Sequence, residues 1–123
     1  QLNGPNDAVY SIAISPNGQQ VAAAGLDRKV FLWNIDNPTP LKSIAGHKDD
    51  IYKVDFNPAG TRLLSIGYAG NVNIWDPNQE KPLFSYKVPT VVFSATYAPG
   101  GKQIAVLAND GKVYLIDVPP EAQ

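Results

Sequence analysis

The sequence predicts an all-β fold built from three repeated antiparallel modules. The segment Val30–Asn34 recurs as Val72–Asp76 and again as Val113–Asp117, at intervals of 42 and 41 residues. Within each copy, apolar residues alternate at period two over five or six positions, with turn residues between the runs, which is typical of short antiparallel strands. A fixed period in this range indicates stacked supersecondary units, none of which buries its apolar faces alone.

Each copy contains three short strands. In the first copy we predict strands over Val9–Ile14, Gln20–Gly25 and Lys29–Asn34, joined by a turn at residues 16–18 and a tight turn at residues 26–28. The first turn reads Pro-Asn-Gly, in which proline presets φ and glycine accepts a positive φ. The same unit is predicted in the later copies at Ile51–Phe56, Arg62–Gly67 and Asn71–Asp76, and at Val92–Tyr97, Gln103–Ala108 and Lys112–Asp117.

Two further strands lie between the copies. Leu41–Ala45 and Leu83–Lys87 each follow a loop that contains proline, at Pro40 and Pro82. Proline suits the edge of a sheet, because an edge strand has N–H positions that no neighbour needs. We therefore predict outer strands here and eleven strands in all. Strands of the first two copies carry apolar residues on both faces, which predicts sheets packed between other sheets.

Composition limits the partners and chemistry of the chain. It has 123 residues, of which 44% are hydrophobic and 17% charged, as in globular proteins. Ten basic and eleven acidic side chains are dispersed without a block of one sign, so neither nucleic acid binding nor membrane insertion is predicted. Cysteine is absent, which excludes disulfides and thiolate sites within the chain. The cellular compartment stays open.

The second copy carries an ordered set of landmarks: Gly46, His47, Ile51, Val54, Phe56, the segment 57–60, Ser65, Trp75 and Asp76. This set, at a spacing of 41 to 42 residues, resembles the WD40 repeat family. The resemblance covers nearly all of the single segment 1–123, with repeats at about 2–40, 41–80 and 81–118 and a C-terminal tail at 119–123. It implies a β-propeller whose blades have four antiparallel strands, with each copy supplying the outer strand of one blade and the inner three of the next.

The resemblance also implies a buried hydrogen-bonded set in each blade, made by a histidine, a serine, a tight-turn aspartate and a tryptophan. Each copy holds only part of it. The second has His47, Ser65 and Trp75 but Ala69 in the turn; the first has Asp27 and Trp33 but Pro5 and Ala23; the third keeps Asp110 alone. A buried polar group without a partner costs roughly 1 to 3 kcal/mol, so we expect blades held mainly by apolar packing.

Three repeats form an open arc, alone or as part of a larger ring, because propellers close with four to eight blades. Residues 2–4 align with the end of an outer strand, and Pro119 and Pro120 interrupt the chain where the third copy's outer strand is due. We expect a last blade without its fourth strand and two apolar end faces that need covering. The covering partner is either the remaining blades of a longer protein or identical chains that close a ring of six or nine blades.

The sequence offers no catalytic, metal or cofactor site. His47 is the only histidine, and one histidine does not build a zinc site. Asp49 and Asp50 are adjacent, so their side chains would point to different sides, which does not suit a pair of catalytic carboxylates. We interpret them as loop charges. Asp27 and Asp110 lie in tight turns, where aspartate caps its own backbone. No glycine-rich segment leads into a helix, as a phosphate-binding loop requires.

Positions that the WD40 family uses on its top face carry several aromatic residues here. Carried over by position, the candidate partner-binding residues are Tyr10, Leu26, Asp50, Tyr52, Tyr68, Phe93 and Asn109. Aromatic side chains concentrate binding energy at interfaces, although these rings could instead pack between neighbouring blades. The resemblance implies a non-enzymatic scaffold for protein–protein interaction. The alternative is part of a propeller that binds a small molecule or supports catalysis with residues from other blades or domains.

Overall fold

The computed structural model describes residues 1–123 and contains eleven strands in three antiparallel sheets. We call the sheets blade 1, blade 2 and blade 3. Blade 1 contains β1 (Val9–Ile14), β2 (Gln20–Gly25), β3 (Lys29–Asn34) and β4 (Lys42–Ala45); blade 2 contains β5 (Ile51–Phe56), β6 (Leu63–Gly67), β7 (Asn71–Trp75) and β8 (Phe84–Lys87); blade 3 contains β9 (Val92–Tyr97), β10 (Gln103–Ala108) and β11 (Val113–Asp117). In each blade the strands pair in chain order.

The prediction of an all-β fold with three antiparallel sheets is confirmed. Six of the eleven strands have the predicted bounds, and each of the other five is one residue shorter at one end. At two of these ends the residue still hydrogen-bonds to the neighbouring strand: Leu41 N donates to Leu32 O and Leu83 N to Ile74 O, both at 2.8 Å. These two residues follow Pro40 and Pro82, where the regular ladder has not yet begun.

Blade 2 is packed between the other two blades, which explains the apolar residues on both of its faces. Leu64 and Ile66 of β6 lie in one core cluster with Val106 of blade 3. Leu63 of β6 and Trp75 of β7 lie in a second cluster with residues of blade 1. Because side chains alternate along a strand, both faces of the middle blade are buried.

The arc is open at both ends. On blade 1, the face away from blade 2 exposes Ile12, which is 65% accessible, and Ile14. On blade 3, the face away from blade 2 exposes Leu107, Val113 and Leu115, the last of which is 72% accessible. Blade 3 has three strands, so β11 is an edge strand without the outer neighbour that β3 and β7 have.

Segments outside the blades pack against them. Leu2 contacts the apolar cluster on the outward face of blade 1, and Asn3 N donates to Pro38 O at 2.9 Å, although residues 1–5 form no strand. At the other end, a short 3₁₀ helix (Pro120–Ala122) buries Ala122, which is 1% accessible, in the core between blades 2 and 3. The sequence did not predict this helix. No helix has the length and apolar character needed to cross a bilayer.

Candidate functional site

An aromatic residue occupies the same bulged position in the innermost strand of every blade. Val9 pairs with Gly25 and Ser11 with Ala24, so Tyr10 is an extra residue on β1. The register skips Tyr52 on β5 and Phe93 on β9 in the same way. A β-bulge bends its strand and redirects the side chain of the extra residue. Each blade thus directs one ring to the side of the arc on which β1, β5 and β9 begin. We call this side the top.

These rings meet in one cluster, which we call the aromatic patch: Tyr10, Tyr52, Tyr68 and Phe93. Tyr52 is at its centre, with ring centroids 5.3 Å from Tyr10, 5.6 Å from Tyr68 and 6.5 Å from Phe93. Two of these contacts are edge-to-face and one is stacked, which are the geometries that aromatic rings prefer. Tyr10, Tyr68 and Phe93 are 51%, 44% and 46% accessible, and Tyr52 is half-buried. The patch therefore joins three blades and still presents ring surface to solvent.

The tight turns at the top are fixed by a hydrogen bond that recurs in every blade. Leu26 N donates to Ala8 O at 3.0 Å, Tyr68 N to Asp50 O at 2.8 Å, and Asn109 N to Val91 O at 2.8 Å. Each bond ties the turn after the second strand to the residue just before the innermost strand. Leu26 in blade 1 and Asn109 in blade 3 thus occupy the same turn position as Tyr68 in blade 2. The candidate residues predicted from the sequence therefore all lie at the top.

Charge at the top is limited. Arg28 Nε lies 3.9 Å from Asp50 Oδ1, across the boundary between blades 1 and 2. Because both side chains are partly exposed, this pair contributes little to stability. Desolvation among the neighbouring rings raises the pKa of Tyr52, with smaller effects from Tyr10, Tyr68 and Asp50. The Tyr52 hydroxyl is therefore neutral at physiological pH.

A separate, buried set of polar side chains lies inside blade 2. Trp75 Nε1 donates to Ser65 Oγ at 2.8 Å, and Ser65 Oγ lies 2.6 Å from His47 Nε2. Asn73 Nδ2 donates to the same His47 nitrogen at 3.3 Å, and Ser85 Oγ donates to Asn73 Oδ1 at 2.7 Å. With two donors facing Nε2, the neutral ring carries its proton on Nδ1. Sequence reasoning missed Asn73 and Ser85. The available signal for Asn73 was a polar residue within the apolar run Val72–Trp75, and Ser85 had no such signal.

Two buried side-chain atoms, one in blade 2 and one in blade 1, lack hydrogen-bond partners. His47 Nδ1 has no hydrogen-bond partner, because Ala69 stands where the turn of blade 1 has Asp27. Asp27 accepts the backbone N–H of Asn6 at 2.9 Å through Oδ2, while its Oδ1 is unpartnered, because Pro5 stands where blade 2 has His47. Burial lowers the pKa of His47 from 6.5 to about 4, against a smaller opposing effect of Asp49. The histidine is therefore neutral inside the blade.

Blades 1 and 3 use other contacts at these positions. Trp33 Nε1 donates to Asn3 O at 2.9 Å, since blade 1 has Ala23 in place of a serine. Asp110 is exposed and accepts hydrogen bonds from Tyr114 at 2.5 Å and from Lys112 N at 3.0 Å. The Tyr114 hydroxyl is the main cause that lowers the pKa of Asp110. Asp110 thus binds within its own hairpin. No group of three or more His, Asp or Glu side chains is arranged to hold a metal ion.

Comparison with protein families identifies the fold. The model of the WD domain, G-beta repeat, matches residues 1–34 and 38–76, which is more than half of the chain. The chain belongs to the WD40 repeat family. The matched residues cover the first two copies; the third lacks the tryptophan and histidine landmarks but keeps the paired inner strands. No curated protein matches the chain. WD40 repeats generally act as scaffolds for protein interaction and are typically non-enzymatic.

Proposed function

We propose that this WD40 segment is a non-enzymatic scaffold that binds a protein partner through the aromatic patch. The observation that carries the proposal is the repeated bulge, which directs Tyr10, Tyr52 and Phe93 to the top and brings them together. Rings of this kind dominate the energetics of interfaces, because each buries a large area with few rotatable bonds.

The patch is also prepared for binding without much reorganisation. The recurring turn hydrogen bond fixes the backbone at Tyr68, and contacts with three neighbouring rings hold the Tyr52 side chain. Side chains already ordered in the free protein lose little conformational entropy when a partner binds. A rigid aromatic surface of this type suits recognition of an apolar segment on another protein.

The alternative of a small-molecule or catalytic site has less support in the geometry. His47 is buried and its Nε2 is engaged by Ser65 and Asn73. Asp50, the one acidic candidate at the top, lies beside Arg28. His47 therefore does not reach an open surface, and Asp50 has no second acidic or basic candidate beside it with which to divide the roles of general acid and base.

The proposal includes the open ends of the arc. The outward faces of blades 1 and 3 leave large apolar side chains in contact with water, so we expect further blades to cover them. These side chains are Ile12, Ile14, Leu107, Val113 and Leu115. These blades come either from the rest of a longer protein or from identical chains.

The experiment compares substitutions of patch rings with a matched control. Tyr68→Ala and Phe93→Ala each remove a half-exposed ring from the patch, while Tyr86→Ala removes an equally exposed ring, 43% accessible, from the outer strand β8. Immobilised variants are used to capture partners, and the affinity for each captured protein is measured with purified material. We expect Tyr68→Ala and Phe93→Ala to weaken binding at least tenfold and Tyr86→Ala to leave it unchanged.

Unfolding in urea separates binding from folding. Tyr68 and Phe93 are exposed enough that both variants should keep the wild-type midpoint. Tyr52→Ala combined with Tyr68→Ala tests the central ring: a large loss of folding stability would assign Tyr52 to the core between blades. Equal binding by the patch variants and by Tyr86→Ala would refute the proposed surface.

A further inference from the structure

We propose that Asn3 is the site of a spontaneous covalent modification, in which the backbone nitrogen of Gly4 displaces the side-chain amide and an aspartyl or isoaspartyl residue results. The reaction requires only water and no enzyme. It adds a negative charge beside the outward face of blade 1, away from the aromatic patch. The inference therefore stands apart from the proposed partner surface.

The reaction is a cyclisation followed by hydrolysis. The Gly4 nitrogen loses its proton to a base in the solvent and bonds to Asn3 Cγ, while the side-chain nitrogen takes up a proton and leaves as ammonia. Water then adds to one of the two carbonyls of the five-membered succinimide ring and opens it. One opening gives aspartate, and the other gives isoaspartate, in which the backbone runs through Cγ. Glycine favours the ring closure, because no Cβ crowds the attacking nitrogen.

Three places in the chain have the sequence for this reaction. Asn3 and Asn17 each precede a glycine, and Asp110 precedes Gly111, where water instead of ammonia would leave. All three side chains are exposed, so access to solvent does not separate them. The attacking nitrogen does, because an N–H that already donates to a carbonyl must give up that hydrogen bond before it reacts.

Asn17 is protected by the turn in which it lies. Gly18 N donates to Ser15 O at 2.8 Å. Asn17 Oδ1 accepts hydrogen bonds from Ser15 Oγ at 2.6 Å and from Gln19 N at 3.0 Å. Both reacting groups, the glycine nitrogen and the side-chain carbonyl, are thus held by bonds that form the turn.

Asp110 is protected in a similar way. Gly111 N donates to Ala108 O at 3.3 Å. The Asp110 carboxylate accepts hydrogen bonds from the Tyr114 hydroxyl and from Lys112 N. The Tyr114 bond is the main cause that lowers the pKa of Asp110, which keeps the carboxyl ionised, and the ionised form is the unreactive one.

Asn3 lacks this protection. Gly4 N donates to no acceptor, and the side-chain amide of Asn3 contacts only the exposed side chain of Gln1, at 3.1 Å. Gly46, which aligns with Gly4 and lies at the end of β4, also has an N–H without an acceptor. The free N–H is therefore a property of this position in the repeat. Of the three places, only Asn3 has an attacking nitrogen that is free to react.

The modification changes a residue that holds a cover over blade 1. Asn3 N donates to Pro38 O, and Trp33 Nε1 donates to Asn3 O, both at 2.9 Å. The adjacent Leu2 packs against the apolar cluster that includes Trp33. In the isoaspartyl product the backbone is one carbon longer, and the carbonyl that Trp33 contacts becomes a free carboxylate. We therefore expect at least one of these hydrogen bonds to be lost and the cover to loosen.

The rates at the two asparagines test the site. The folded chain is incubated in mildly alkaline buffer and cleaved after Tyr10, which separates Asn3 from Asn17, and both fragments are followed by mass spectrometry. We expect modification of Asn3 to be at least tenfold faster, because several hydrogen bonds around Asn17 must break first. In concentrated urea the two rates should become similar. Equal rates in the folded chain, or an undiminished ratio in urea, would overturn the inference.

Thermal unfolding of aged protein tests the consequence. Loss of one hydrogen bond corresponds to a fall in Tm of roughly 3 to 6 °C for a chain of this length, and we expect this fall in the wild-type chain after incubation. Asn3→Gln should keep its initial Tm, because glutamine would have to form a six-membered ring. The matched control Asn17→Gln should lose stability like the wild type. An unchanged Tm in wild-type chains that carry the modification would refute the loosening of the cover.

Discussion

Ala69 occupies the one turn position at which a carboxylate would reach a buried, unpartnered histidine. In the equivalent turn of blade 1, Asp27 accepts the backbone N–H of Asn6 at 2.9 Å, so a side chain here reaches the loop before the innermost strand. The residues of blade 2 equivalent to Pro5 and Asn6 are His47 and Lys48. Ala69→Asp should therefore accept hydrogen bonds from His47 Nδ1 and from Lys48 N.

The size of the effect follows from the missing bond. Leaving a buried donor unsatisfied costs roughly 1 to 3 kcal/mol, and the new carboxylate loses part of this gain to its own desolvation and to the nearby Asp49 and Asp50. We expect Ala69→Asp to stabilise the chain by about 1 to 2 kcal/mol. For a chain of this length that corresponds to a rise in Tm of roughly 3 to 8 °C. The pKa of His47 should also rise from its present value of about 4.

Urea unfolding followed by tryptophan fluorescence measures the change, since Trp75 belongs to the buried set. The midpoint should increase with an unchanged slope. His47→Gln supplies the control background, because glutamine keeps a polar group toward Ser65 but lacks the Nδ1 donor. In a double-mutant cycle, most of the gain should disappear in that background. Destabilisation by Ala69→Asp, or an equal gain with and without His47, would refute the reasoning.

Two further predictions concern the same blade. The folded state keeps His47 neutral down to about pH 4, while the unfolded chain takes up the proton near pH 6.5. The free energy of unfolding should therefore fall by about 3 kcal/mol as pH drops through this window. Urea titrations from pH 7 to 4 should show this loss in the wild-type chain but not in His47→Gln. A Cβ at Gly46 would lie 1.9 Å from Trp75 Cη2, so Gly46→Ala should destabilise the chain by about 2 to 3 kcal/mol in thermal unfolding. The control Gly100→Ala should have little effect, because a Cβ there would have nothing within 4 Å. Equal melting temperatures for the two variants would show that the tryptophan moves at no cost.

The strands could be predicted from the sequence because their signals are local. Period-two alternation and turn residues depend on neighbours along the chain, and they located strands such as β1 and β9 to the residue. Strand ends next to Pro40 and Pro82 were shifted by one residue, because the ladder depends on the partner strand as well as on the chain itself.

The top surface could be predicted only in part from the sequence. The repeat placed Tyr10, Tyr52 and Phe93 at equivalent positions, but the bulge that skips each of them is a property of pairing between two strands. Nor does the sequence show that Tyr52 contacts Tyr68 as well as its two counterparts. Similarly, the 3₁₀ helix that buries Ala122 depends on a cavity between blades that no local pattern describes.

By itself, the sequence determined the three repeated modules and the order of the strands within each, because both follow from a pattern repeated along the chain. Only the tertiary structure decided which atoms meet and which do not: the four rings of the aromatic patch are brought together, His47 Nδ1 lacks a partner, and Ile12 and Leu115 stay exposed at the two ends of the arc. The physical reason is that burial and hydrogen bonding between blades depend on distances across the stack, which sequence spacing does not fix.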